Sequence, residues 1–157
     1  MPKITPSLLF KSESQSAAEF YVSIFPNSKI NNVSHYGENS PVPAGTVLAV
    51  DFVLDGQDYT AINSGATFNF SEAFSLRVNC SSQEEVDRYW DGLGAGGEEG
   101  QCGWLKDRFG VSWQIVPTGM GELLSDPDPK RAERAMQAML GMRKLDVEAM
   151  RRAADEQ

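Results

Sequence analysis

The sequence predicts an α+β fold built from two copies of a β-α-β-β-β unit, followed by a pair of helices. Three observations support this class: short apolar runs alternate as in strands, two segments carry helical stripes, and the second half repeats the element order of the first. With 157 residues and 41% hydrophobic side chains, the chain has the size and composition of one ordinary globular domain.

The first unit, residues 3–66, is predicted to hold four strands and one helix. Apolar residues between Ser14 and Phe25 follow helical spacing, and Ser14 is the expected N-cap. Asp55-Gly56 is typical of a tight hairpin turn between the last two strands. The predicted strands span residues 3–10, 28–36, 46–54 and 58–63.

The second unit, residues 67–120, repeats this order. Its helix is predicted over 82–93 and begins with a capping box formed by Ser82 and Glu85. The helices align with an offset of 69 residues, and the last strands align with an offset of 54. The predicted strands span residues 73–80, 101–106 and 111–116, and the loop 94–100 has room for a fourth.

The C-terminal segment, residues 126–155, is predicted to form two helices over 130–142 and 147–154. Asp128 is the expected N-cap of the first, with proline at the first helical position. Because methionine packs adaptably, the methionines of this tail favour a variable surface, such as a pocket mouth or a dimer partner. The alternative is a helix pair docked on its own sheet. The tail methionines are Met136, Met139, Met142 and Met150.

Composition excludes several classes of function. A net charge of −8 without a basic stripe argues against nucleic-acid binding, and no apolar run reaches the length of a membrane span. The N-terminus lacks the apolar stretch of a secretory signal. Two cysteines, Cys80 and Cys102, therefore favour a reduced, cytoplasmic protein. One histidine, His35, and two cysteines cannot form a closed zinc site within one chain.

Four segments together resemble a known family: AAEFYVSIFPNSKI, EEVDRYWDGL, GQCGWLKDRFGVSWQIVPT and ELLSDPDPKRAERAMQAML. They resemble the PhnB-like branch, labelled 3-demethylubiquinone-9 3-methyltransferase, of the vicinal oxygen chelate superfamily, which includes glyoxalase I, extradiol dioxygenases and bleomycin-resistance proteins. The resemblance runs roughly from Ile4 to Ala154. It implies a single domain over residues 1–157, a U-shaped mixed sheet with a pocket, and a homodimer.

The resemblance also implies where a metal would lie. In metal-dependent members, each half supplies a histidine from its first strand and a carboxylate from its last. The corresponding positions here are Pro6 and Ser75 in the first strands, and Thr60 and Gln114 in the last. Proline has no side-chain donor and the other three are weak neutral ligands, which do not offset the dehydration of a dication. We therefore expect no metal cofactor.

The same register predicts a small-molecule pocket lined by Thr60, Ser75, Arg77, Trp104 and Gln114. Arg77 shares the strand face of Ser75 and is suited to an anionic ligand, unless it pairs with a surface acid. Gln114 either faces the pocket or forms a hydrogen bond within the sheet. Trp104 either lines the pocket or belongs to the core, whereas Trp90 and Trp113 are expected in the core.

Residues suited to catalysis are few. Cys102 and Arg77 are the candidates, although the absence of an adjacent histidine favours a buried, apolar thiol for both Cys80 and Cys102. Glu98-Glu99 is either a general base or a pair of solvated charges. The Gly-rich run at 92–97 follows a helix instead of a strand, so it is not a dinucleotide-binding loop.

Three functions are compatible with these residues. The first is a metal-free binding protein for a small molecule, and the second is a metal-independent enzyme acting on a small polar or aromatic substrate. The third is the methyltransferase of the family label, although no Gly-rich turn follows the first strand as in methyl-donor folds. The expected homodimer would place Met136, Met139, Leu140 and Met150 at or near its contact.

Overall fold

A computed structural model describes residues 2–156. The chain divides into two compact units, the first ending at Asn69 and the second beginning at Phe70. Each unit contains a four-stranded mixed sheet, and the second continues into the C-terminal helices. The predicted α+β class with tandem β-α-β-β-β modules is confirmed. No helix within the described residues is long and apolar enough to cross a membrane.

In the first unit, strand order is β1-β4-β3-β2, with β1 parallel to β4 and the other pairs antiparallel. Alternation along the strands sends Leu8, Phe52 and Ala61 into the core under α1. Tyr21 of α1 stacks on Phe52 with 6.3 Å between ring centroids. The elements are β1 (Ser7–Phe10), α1 (Ser14–Ile24), β2 (Lys29–His35), β3 (Val47–Leu54) and β4 (Gln57–Asn63).

The start of α1 differs from the prediction. Glu13 is the N-cap, and Ser14 is instead the first helical residue and is fully buried. The backbone N–H of Ser14 donates to Oδ1 of Asn63, 2.9 Å away at the end of β4. Asn63 also donates from Nδ2 to the Val47 carbonyl at 3.1 Å. The first-turn donor is therefore satisfied by a distant strand, which local sequence does not reveal.

In the second unit, the order β5-β8-β7-β6 repeats the first. Trp90 and Trp113 are buried, as predicted. Ser82 is the N-cap of α2, and its Oγ accepts from the Glu85 N–H at 3.2 Å, as in the predicted capping box. The Glu85 carboxylate, however, accepts from the backbone N–H of Ser81 instead of that of Ser82. The elements are β5 (Leu76–Cys80), α2 (Gln83–Gly94), β6 (Glu98–Glu99), β7 (Trp104–Lys106) and β8 (Ser112–Pro117).

The register between the units requires one correction. Ser7 is paired with Thr60 in the first unit, and Arg77 with Gln114 in the second, so the counterpart of Arg77 is Ser7. The sequence alignment of Pro6 with Ser75 is therefore wrong by one residue. The cause is the strand-to-helix connection, which is three residues long (11–13) in the first unit and two (81–82) in the second.

The tail forms three helices, α3 (Met120–Leu124), α4 (Pro129–Leu140) and α5 (Val147–Asp155). The predicted pair is present, with Asp128 as the N-cap of α4, and α3 is an addition. Leu123, Ala135, Met150 and Ala154 form a small buried core of their own.

The sequence predicted four tail residues at or near a homodimer contact, and the structure buries part of this set: Met136, Met139, Leu140 and Met150. Met150 is fully buried within the chain, and Met139 packs against the same small core. Met136 and Leu140 are the exposed ones, at 37% and 52%. Only these two of the four thus present a large apolar surface to solvent.

Candidate functional site

The face of the second sheet opposite α2 gathers most of the predicted pocket residues. Because side chains alternate along β8, Trp113 and Ile115 enter the core and Gln114 points to the other side. The strand register places Arg77 on one side of Gln114 and Trp104 on the other. This face therefore combines an amide, a guanidinium and an indole.

Two of the predicted residues are bonded to each other. Gln114 Nε2 donates to Ser75 Oγ at 2.9 Å. Gln114 thus lies on the face opposite α2 and also forms a hydrogen bond to a neighbouring side chain. Arg77 is exposed, and the ion pairs found among the described residues do not include it. The alternative in which Arg77 pairs with a surface acid is not realised.

A cleft of about 410 Å³ lies at the β6–β7 side of this unit. Trp104, with 36% of its surface exposed, is the predicted pocket residue that lines it. The short outer strands leave the indole uncovered, since β6 has two residues and β7 three. The cleft is lined by Glu72, Glu98, Glu99, Gly100, Trp104, Leu105, Lys106 and Ser112.

The cleft is predominantly acidic, with three carboxylates and one ammonium group in its lining. Glu72 pairs with Lys106; this hydrogen bond lowers the pKa of Glu72 and raises the pKa of Lys106, so both stay charged near neutral pH. Glu99 accepts from the Trp90 indole N–H at 3.0 Å through Oε1. Its Oε2 lies 3.8 Å from Nη1 of Arg143. An indole beside carboxylates is a favourable surface for an organic cation.

Thr60 lines a second cleft, of about 550 Å³, which belongs to the first unit. Its hydroxyl donates to Oδ1 of Asp51 at 2.8 Å, across the β3–β4 pair. Asp58 and the two asparagines of the β2 bulge contribute further polar atoms to this cleft. The same topology thus carries a polar, carboxylate-containing cleft here and an indole-containing one in the second unit.

The positions that the sequence aligned with the metal site do not provide a metal-binding donor set, and neither do Ser7 and Arg77, the first-strand pair of the corrected register. Pro6 has no side-chain donor, the Thr60 hydroxyl is engaged with Asp51, and the Ser75 hydroxyl is engaged with Gln114. Among residues 2–156, no three His, Cys, Asp or Glu side chains lie close enough to hold a metal ion. Neutral hydroxyl and amide groups that are already engaged in hydrogen bonds do not fit a divalent cation.

The catalytic candidates lie away from the cleft lining. Cys102 occupies a tight loop with φ +57°, and its Sγ donates to the Met139 carbonyl at 3.6 Å. Cys80 is buried in the core, and burial raises the pKa of its thiol to about 11. His35 lies exposed at the end of β2 in the first unit.

The glycine-rich run has a structural role that sequence reasoning missed. A Cβ on Gly97 would lie 2.1 Å from the Lys106 carbonyl oxygen, and one on Gly100 would lie 2.8 Å from that of Trp104. These glycines let β6 and its loop approach β7 closely, which brings Glu98 and Glu99 to the cleft. The sequence signal that could have indicated this close approach is the pair of glycines directly before Glu98 and Glu99.

This chain is similar to a known protein family and to several solved structures. A family model described as 3-demethylubiquinone-9 3-methyltransferase matches residues 2–116. A solved structure described as a PhnB protein from Bacillus cereus is 36% identical, with a TM-score of 0.69 over 74% of this chain and 100% of its own. Protein PA1353 from Pseudomonas aeruginosa is 21% identical, with a TM-score of 0.62 over 74% of this chain and 98% of its own.

A third solved structure is the fosfomycin resistance protein FosX from Listeria monocytogenes, which is 16% identical with a TM-score of 0.56. That match covers 79% of this chain and 97% of the other and, like the one to PA1353, it shows the fold alone. Comparison with curated protein sequences finds no match. The predicted PhnB-like resemblance is confirmed, but the family match ends at Val116 instead of reaching Ala154. The C-terminal helices therefore lie outside it.

Proposed function

The chain belongs to the 3-demethylubiquinone-9 3-methyltransferase family, within the vicinal oxygen chelate superfamily, and we propose that it binds a small organic cation without a metal. The observation that carries this proposal is the partly exposed indole of Trp104 in a cleft that also holds Glu72, Glu98 and Glu99. A cleft of about 410 Å³ has the size of a small-molecule site.

Charge supports a cation over an anion. The lining carries three carboxylates and one ammonium group, so its net charge is −2. Lys106 is paired with Glu72, and Arg143, outside the lining, lies beside Glu99, which leaves Glu98 as the carboxylate that no ion pair found among the described residues includes. The whole chain carries a net charge of −8, which attracts cations over a longer range. Tryptophan has the most favourable ring face for cation–π contact.

The donor set supports binding without a metal. At the positions that the sequence aligned with the metal site, the polar groups of Thr60, Ser75 and Gln114 are bonded to neighbouring side chains, and Pro6 has no side-chain donor. The first-strand pair of the corrected register offers a hydroxyl, Ser7, and a cation, Arg77. Elemental analysis of the purified protein is the direct test, with no stoichiometric divalent ion as the expected result. One metal ion per chain, lost to a chelator together with stability, would contradict it.

The methyl transfer named by the family description finds less support in this fold. Both sheets are four-stranded and mixed, whereas methyl-donor sites usually lie on a doubly wound parallel sheet with a Gly-rich turn after its first strand. The turn after β1 is Lys11-Ser12-Glu13, which has no glycine. We therefore propose binding as the activity of the second-unit cleft.

Titration calorimetry with three probes that share a phenyl ring tests the proposal: benzyltrimethylammonium, benzyl alcohol and benzoate. We expect the cation to bind most tightly and Trp104→Leu to weaken it about tenfold, a cation–π contribution of about 1.4 kcal/mol. Phe74→Leu is the matched control, because Phe74 is an exposed aromatic residue of the same unit outside the cleft lining. Preferential binding of benzoate, unaffected by Trp104→Leu, would overturn the proposal in favour of Arg77.

A further inference from the structure

We propose that residues 141–146, between α4 and α5, are a positioning strap for the cleft in the second unit. The strap holds the turn that precedes Trp104 and the carboxylate of Glu99, and it thereby sets the geometry of the ligand surface. This inference rests on the proposed function of that cleft. It assigns a role in ligand binding to a tail that lies beyond the family match, which ends at Val116.

The strap is hydrogen-bonded through its backbone to the turn before β7. The N–H of Cys102 donates to the Met142 carbonyl at 2.9 Å, and the N–H of Gly103 donates to the Arg143 carbonyl at 2.8 Å. On its other side, the Gly103 carbonyl accepts from the Ile115 N–H of β8 at 2.7 Å. The turn is therefore held between the strap and the sheet.

Close packing accompanies these bonds. Gly103 has φ +85°, and a Cβ there would lie 2.7 Å from Cδ1 of Leu145 and 2.9 Å from the Ile115 carbonyl oxygen. Leu145 is fully buried against this glycine. The space of a missing side chain at Gly103 is thus occupied by the strap itself.

The strap is also fixed to α2. Gln83 Nε2 donates to the Leu145 carbonyl at 3.0 Å, and Lys144 Nζ lies 3.0 Å from Oδ1 of Asp87. The hydrogen bond from Lys144 lowers the pKa of Asp87, so this pair remains charged at neutral pH. Contacts to both the turn and α2 define one position for the strap.

Two routes connect the strap with the cleft. Trp104 directly follows Gly103, so the backbone of the turn sets where the indole begins. Arg143 lies beside Glu99, whose other oxygen accepts from the Trp90 indole. Displacing the strap would release the Cys102-Gly103 turn and Glu99 together. Residues 141–146 are therefore placed to act through Trp104 and Glu99 without contacting a ligand themselves.

The test uses Leu145→Ala in the full chain, with Leu8→Ala, a buried leucine of the first unit, as the matched control. Two readouts need no ligand: amide hydrogen exchange at Cys102 and Gly103, and the NMR signal of the Trp104 indole N–H. We expect Leu145→Ala to accelerate the exchange, shift the indole signal and weaken benzyltrimethylammonium binding at least about fivefold. Leu8→Ala should leave all three unchanged.

Gln83→Ala removes one bond to the strap without touching the core, and it replaces Leu145→Ala as the test if that variant does not fold. Unchanged exchange and an unchanged indole signal in the folded variants would overturn the inference while leaving the proposed function intact. The same holds if these readouts change but affinity does not. Absence of probe binding by the wild-type chain would instead overturn the proposed function, and would reduce the strap to a structural brace.

Discussion

The two β-α-β-β-β units share strand order and pairing direction but differ at their outer strands. In the first unit, β2 and β3 contain seven and eight residues and present a polar cleft around Asp51 and Thr60. In the second, β6 and β7 contain two and three residues and leave Trp104 exposed beside glutamates. Duplication therefore preserved topology, while the outer strands set the chemistry of each cleft.

The helices of the two units are also started differently. Ser82 caps α2 from the adjoining residue, whereas α1 depends on Asn63, which lies 49 residues from Ser14 in sequence. A local cap survives changes elsewhere in the sheet, but a distant one requires β4 to be in register. The first unit thus couples its helix more strongly to its sheet.

The largest change in the free energy of unfolding is expected where β6 and β7, the outer strands of the second unit, meet. Gly97→Ala would put a Cβ at 2.1 Å from the Lys106 carbonyl oxygen, so the β6–β7 pair must separate. We expect a loss of about 3 kcal/mol in the free energy of unfolding, measured by urea denaturation. Gly121→Ala is the control, because nothing lies within 4 Å of a Cβ there. Equal stability of both variants would show that β6 contributes nothing to the second unit.

The different starts of α1 and α2 predict the next largest loss of folding stability. Asn63→Ala leaves the buried Ser14 N–H without its acceptor and should cost about 2 kcal/mol, whereas Ser82→Ala should cost about 1 kcal/mol. Denaturation of both variants under one set of conditions makes the comparison. If Ser82→Ala is the more destabilising of the two, the first helix does not depend on β4 as described.

A third, smaller effect is a pH dependence located in the second unit. Because the pKa of Cys80 is raised to about 11, the unfolded chain releases this proton first, and stability falls as pH rises from about 9 to about 11. We expect a loss of at most about 2 kcal/mol over this window. Cys80→Ala should flatten the slope, and Cys102→Ala is the matched control. An unchanged slope in Cys80→Ala would assign the effect to other groups.

The last prediction concerns the oligomeric state of the protein. We propose a homodimer, and the exposed pair Met136 and Leu140 on α4 is the apolar surface of the tail available for it. Light scattering should give twice the chain mass of 17.2 kDa. Substituting both residues with lysine should then yield monomers if the tail forms the contact. A dimer unaffected by this change would move the contact elsewhere, and a monomeric wild-type chain would contradict the dimer itself.

Much of this architecture could be predicted from local patterns. The alternating strands, the Ser82 and Asp128 caps, and the burial of Trp90 and Trp113 all depend on residues close together in sequence. Side-chain periodicity and capping chemistry act over a few residues, so sequence determines them directly. The duplicated fold and the shared face of Arg77 and Gln114 follow from those patterns.

The remaining features depend on contacts between distant segments. Asn63 at the start of α1, the strap on the Cys102-Gly103 turn, and the approach of Arg143 to Glu99 join residues roughly 40 or more positions apart. Their partners are chosen by strand register and by the packing of the tail, which no local pattern encodes. Sequence therefore determined the two modules, and the tertiary structure decided which cleft holds an exposed indole and what holds it in place.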